Sequence, residues 1–149
     1  METEEYGFPY NLPIWRDHFK LTSPDGKLVA EISRATESSM GNPTIGTLTL
    51  SNGFELSRCN PSFIWSDDSC YLVVPHYFKR FGLFLRQKII VIDTHSNQLF
   101  ASKKTTCYFQ PESFQHGKLV VIAEPHEDAN KIEWSIPEDF DQFEQLQET

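Results

Sequence analysis

A chain of 149 residues with 39% hydrophobic content, seven glycines and nine prolines is the size and make-up of one globular domain, neither fibrous nor disordered. No apolar run reaches the roughly 18 residues of a membrane helix, and three cysteines without CxxC spacing argue against a disulfide framework. The formal net charge of −8 is unevenly placed: residues 1–123 hold 12 acids and 12 Lys+Arg, whereas residues 124–149 hold nine acids and one lysine.

In chain order, "METEEYGFPY" opens acidic and lacks the basic-then-apolar plan of a secretory leader, which sets a cytoplasmic expectation. Residues 1–16 read as an extended lead-in to a single domain, and 17–134 as an antiparallel β-meander. "HFKLT" enters the turn "SPDGK", Ser23 to Lys27, and leaves as "LVAEIS". "TIGTLTL" alternates with period two from Thr44 to Leu50 and stops at the hairpin signal "SNG". "FIW" meets "SDDS" and returns as "CYLVVPHY", while "KIIVID" stops at "THSN" and returns as "QLFASKK". "ESFQHGK" turns into "LVVIAEP", and after "HEDAN" comes "KIEW". Cys59, Cys70 and Cys107 read as small hydrophobes with inert thiols.

These pieces repeat. Three times a phenylalanine precedes a polar turn, then a short apolar strand, a loop and a further strand. Gly26 maps onto Ser69 and then Gly117, steps of 43 and 48 residues. Over roughly residues 18–135 the pattern resembles the blades of WD-repeat and related β-propellers, in which an S-P-D-G-like turn feeds one strand of a four-stranded blade. That resemblance implies a mainly β fold and a protein-interaction role. Three units fall short of a closed propeller, so three arrangements stay open: an open meander, a coiled sheet closing on itself, or a propeller completed by oligomerisation. If the units stack alike, the loops Arg34–Pro43, Phe78–Gln87 and Pro125–Asn130 project from one edge.

From residue 135 the character changes. Pro137 suits a first helical turn, Glu138 and Asp139 suit its positive end, and Phe140, Phe143 and Leu146 recur at spacings of three. The segment 135–149 therefore reads as a short acidic amphipathic helix that caps an open sheet edge or docks on a partner.

Candidate chemistry is sparse. Asp67 and Asp68 with His76 offer a loop-built hydrolase site, but "WSDDS" reads more simply as a turn whose side chains bond their own backbone. The five histidines show no metal-ligand spacing, and no glycine-rich phosphate loop is present, so neither metal nor cofactor is expected.

The stretch "YFKRFGLFLRQK", Tyr77 to Lys88, is aromatic and basic without an acidic residue. Such mixing suits nucleic acid, yet the neutral body and acidic end argue against it. A long hairpin with Gly82 at its turn explains the local pattern, and alternation would put Phe81, Leu83 and Leu85 on one face with Phe84 and Arg86 on the other. The surplus of apolar area on both faces then points to a contact.

The reading is a non-enzymatic protein-binding module without a membrane or small-molecule partner. Its partner-facing residues are Tyr77, Phe78, Lys79, Arg80, Phe81, Phe84 and Arg86 of the hairpin, with Phe140 and Phe143 of the acidic end. The alternative is a homo-oligomeric structural module in which hairpin and acidic helix meet.

Overall fold

A computed structural model describes residues 13–37, 43–82, 84–123 and 130–146. Residues 1–12 of the expected lead-in, 38–42 of the first edge loop and 125–129 of the third lie outside the described residues.

The chain is mainly β. Its first unit holds β1 (Phe19–Thr22), β2 (Val29–Ile32), the short β3 (Thr36–Glu37), β4 (Thr44–Leu50) and β5 (Glu55–Cys59). Next come β6 (Ile64–Trp65), β7 (Tyr71–Arg80), β8 (Phe84–Asp93) and β9 (Gln98–Thr106). The last unit holds β10 (Phe109–Gln115), β11 (Lys118–Ala123) and β12 (Asn130–Ser135), followed by β13 (Phe143–Leu146). One antiparallel sheet runs β1-β2-β4-β5-β7-β8-β9-β13, with β3 on β4 and β6 on β7, and a second runs β10-β11-β12. Neither sheet closes on itself.

The β7–β8 ribbon is the centre of the packing. Leu72, Val74, Ile90 and Ile92 face a cluster with Ala30, Ile32 and Leu48 of the first unit and with Phe63, just before β6. The alternate residues Val73, Ile89 and Val91 face Phe109, Leu119, Val121 and Trp134 of the last unit. Burial on both faces explains why "YLVVP" and "IIVI" read as continuous apolar runs, whereas a half-solvated strand would alternate. The outward faces of the flanking layers are polar. Lys20, Glu31 and Thr49 mark one, with His18 Nε2 2.9 Å from Glu31; Lys118–Glu133 at 3.7 Å and Lys131–Glu112 at 3.2 Å cross the other.

The first two polar turns share the same set of bonds. In the first turn the Ser23 hydroxyl donates to Asp25 (2.7 Å), the Lys27 N–H donates to the same carboxylate (3.0 Å) and the Leu28 N–H donates to the Ser23 hydroxyl (3.1 Å). In the second turn Ser66 donates to Asp68 (2.6 Å), Cys70 N–H to Asp68 (3.0 Å) and Tyr71 N–H to Ser66 (3.0 Å). Gly26 and Ser69 both take positive φ, 77° and 66°. The equivalent turns touch: Asp25 N–H donates to Ser69 Oγ, and Asp67 accepts the His116 N–H of the third turn.

The expected C-terminal helix does not form. Phe140–Gln142 make one 3-10 turn, and Phe143–Leu146 are a strand paired to Leu99–Ser102 of β9. Phe143 and Leu146 are three residues apart, so a strand sends them to opposite faces while a helix would align them. Phe143 joins the Trp134 cluster and Leu146 the opposite one. The open edge of β9 supplies backbone partners that a segment this short does not provide for itself as an isolated helix.

Candidate functional site

The basic aromatic stretch is the outer half of the β7–β8 ribbon. Pairing from Tyr71↔Asp93 to Arg80↔Phe84 makes Phe78–Arg80 and Phe84–Gln87 strand residues, although they were expected within a loop. Along this half the neighbours fall away: β5 meets β7 only at Cys59↔His76, and β9 meets β8 no further out than Gln87↔Thr106. A positive φ of 59° at Arg58 accompanies the departure of β5.

The turn at Phe81-Gly82 has left-handed φ at both residues, 57° and 71°. Gly82 adopts this freely, whereas Phe81 carries the steric cost that a side chain brings to that region. Phe81 is also 81% exposed, the large hydrophobic side chain left in solvent among the described residues. Strain and exposure thus coincide on one aromatic.

The nine anticipated contact residues divide. Tyr77 is 1% exposed and belongs to the core, as does Phe143, whose ring meets Trp134 at 5.0 Å. Phe140 stacks on Phe100 at 4.0 Å and meets Tyr71 edge-on. Neither phenylalanine of the acidic end is beside the hairpin tip. β13 pairs with β9 opposite Ile90–Ile92, and six residues of strand, about 20 Å, separate Ile90 from Phe84. Among the described residues, no salt bridge joins the basic tip to the acidic end. Phe78, Lys79, Arg80, Phe81 and Arg86 remain at the outer half, and the side chain of Phe84 lies outside the described residues.

Arg86 is half-buried and anchored by Nη2 to the Thr105 carbonyl at 3.2 Å. The Lys88 ammonium lies 5.0 Å from the Phe78 ring centre, and the Arg80 guanidinium 5.3 Å from that of Phe81. Lys79 and Arg80 are exposed and in no salt bridge among the described residues.

Beside the tip a groove of about 500 Å³ is lined by Ile45, Arg58, Phe78, Lys79 and Leu85. It has apolar walls and two cations at its rim. Ile45 and Arg58 had no signal in the sequence, because only the register of β4 and β5 against β7 brings them there.

The proposed hydrolase residues do not meet. Asp68 is spent on its own turn, where the Ser66 hydroxyl and then the Cys70 N–H hold its pKa below the usual carboxylate range. Asp67 is exposed and accepts the His116 N–H. His76 is buried four residues down β7 from Leu72, which pairs with Trp65. Burial, with Lys88 and Arg58 nearby, lowers its pKa to about 4. Its Nδ1 lies 4.0 Å from Cys59 Sγ, a contact unmarked by spacing, but burial pushes that thiol well up. The pair is therefore a neutral imidazole and a thiol, not the ion pair that activates a cysteine. Cys70 is half-buried and Cys107 exposed, so only Cys59 fills the expected buried role. His126 lies outside the described residues, and among them no group of three His, Cys, Asp or Glu side chains converges on a metal position.

No protein family, curated protein or solved structure matches the chain.

Proposed function

We propose that this protein is a non-enzymatic interaction module that holds an acidic, apolar-bearing segment of another protein at the outer half of the β7–β8 ribbon. The observation that carries the reading is Phe81, an aromatic with left-handed backbone that is 81% exposed on a tip without a carboxylate. A few anchors, with aromatic residues and Arg prominent among them, dominate contact energies, and Phe81 and Arg80 stand side by side here. The groove beside them adds apolar depth, and no Asp or Glu occurs between His76 and Lys88.

The three units are read as blades of an open, propeller-like stack. Supporting this are the turn bonds repeated at a 43-residue step and the layering of three units on the central ribbon. Polar outward faces are what terminal repeats need when no further repeat covers them. They favour a self-sufficient stack over a propeller completed by other copies.

Panning a displayed library of random peptides tests the function. Enriched peptides should combine Asp or Glu with aromatic or aliphatic residues, and enrichment should collapse for the triple variant K79E/R80E/F81S. Peptides without acidic bias, or enrichment indifferent to the triple variant, overturn the reading.

A second reading, head-to-tail contact between copies, draws on the opposite end of the ribbon. There Asp25, Asp68 and Asp93 lie close enough together to raise the Cys70 pKa jointly, after burial itself. Light scattering that reports a monomer at high concentration and low salt removes it.

A further inference from the structure

Resting on the reading of the tip as a contact surface, we infer that its partner binds as an added β-strand, running along the exposed edge of β7 in the groove between β5 and the ribbon. The occupant is an extended segment in which acidic residues alternate with aliphatic or aromatic ones.

The edge is defined by backbone geometry. The Pro75 carbonyl points toward β5 and accepts the Asn60 N–H at 3.0 Å. Strand residues two apart point their N–H and C=O to the same side, so the backbone of Lys79 faces the same way. Strand pairing on that side ends at His76, and among the described residues no strand pairs with β7 from Phe78 to Arg80. An open edge in a well-formed strand is a template for pairing. Sheets of this kind manage that liability elsewhere: the free edge of β9 is covered by β13. Among the described residues no strand covers this β7 edge, which lies beside a groove and not a flat solvent face.

The chemistry of the occupant follows from the side chains. Ile45, Phe78 and Leu85 offer apolar contacts, while Arg58 and Lys79 line the same groove. Arg80, Arg86 and Lys88 extend the positive charge along the ribbon, and no Asp or Glu occurs between His76 and Lys88. An added strand sends successive side chains to opposite faces, so alternation lets one set bury against apolar walls while the other meets the cations. A helix presents one residue in every three or four to a given side, bonds its backbone internally and leaves the Lys79 backbone groups unpaired.

The probe is a capped synthetic peptide of alternating Glu and Val, labelled for fluorescence anisotropy. Two further forms carry N-methyl groups, one on every Val amide and the other on every Glu amide. N-methylation blocks hydrogen bonding from one strand edge in each form. One form should lose about tenfold or more in affinity, as befits lost buried backbone bonds, while the other retains binding. The Lys79 amide should become protected from hydrogen exchange only with the parent peptide and the retained form.

Equal binding of all three peptides overturns strand addition and leaves the tip as an acidic-segment surface. So does failure of the alternating peptide when panned acidic peptides bind. If panned acidic peptides also fail, the reading of the tip is overturned with it. Because the modifications are in the peptide, folding of the protein is not at stake in any arm.

Discussion

The inner and outer halves of the β7–β8 ribbon are continuous in backbone and opposite in circumstance. The inner half is covered on both faces, with Val73, Val74, Ile89 and Ile90 fully buried. The outer half loses β5 after His76 and β9 after Gln87, and ends in an exposed Phe81. Apolar residues occur in both, so hydrophobicity alone does not tell core from contact surface. What separates the halves is whether neighbouring layers extend far enough to cover them.

The sharpest way to break this comparison is truncation in each half. Ile89→Ala and Ile90→Ala, adjacent residues on opposite faces, should each cost about 2–5 kcal/mol in urea unfolding. Phe81→Ser should change stability by no more than about 0.5 kcal/mol. A Phe81→Ser loss equal to that of Ile89→Ala would mean that the tip is structural.

His76, at the boundary between the halves, gives a pH-dependent test. Its folded pKa of about 4 is below the unfolded value near 6.5, so the unfolded chain takes up the proton first. Stability should fall as pH drops from about 6.5 to about 4, by on the order of 3 kcal/mol from this group. In His76→Gln that part of the slope should vanish; an unchanged slope would show that the imidazole is not held neutral by burial.

The turns at the inner end give the smallest effect. Asp68→Ala removes the acceptor of the Ser66 hydroxyl and the Cys70 N–H and should cost about 1 kcal/mol at neutral pH. Because the folded pKa of Asp68 is depressed, its contribution is present above an unfolded value near 3.9 and is lost as pH falls through the lower folded value. The deficit of the variant should therefore shrink in acid. Asp25→Ala should behave in the same direction if the two turns are equivalent, and a different pH dependence would argue against a true repeat.

Legibility in the sequence followed the range of the interaction. "SPDGK" and "SDDSC" specify their turns through bonds spanning two to five residues, and both formed as read. "TIGTLTL" became β4 with the boundaries that its alternation implied. Strand β5 was implied by the hairpin signal "SNG" alone, since exposure of Glu55, Ser57 and Arg58 leaves little apolar pattern in "ELSRC". The spacing of Phe140, Phe143 and Leu146 fitted a helix, but the bonds that decided the matter came from β9, 41 to 47 residues earlier. Tyr77 looked like its aromatic neighbours and is buried only because the ribbon is still covered at that point.

By itself, then, the sequence determined the antiparallel β class, the turn chemistry and the segregation of charge, because each depends on residues close along the chain. The tertiary structure alone decided which half of one ribbon is core, where β13 docks, and that Ile45 and Arg58 face Phe78 across a groove. Those outcomes depend on strand register and on where each layer ends, and both are set by contacts between residues far apart in sequence.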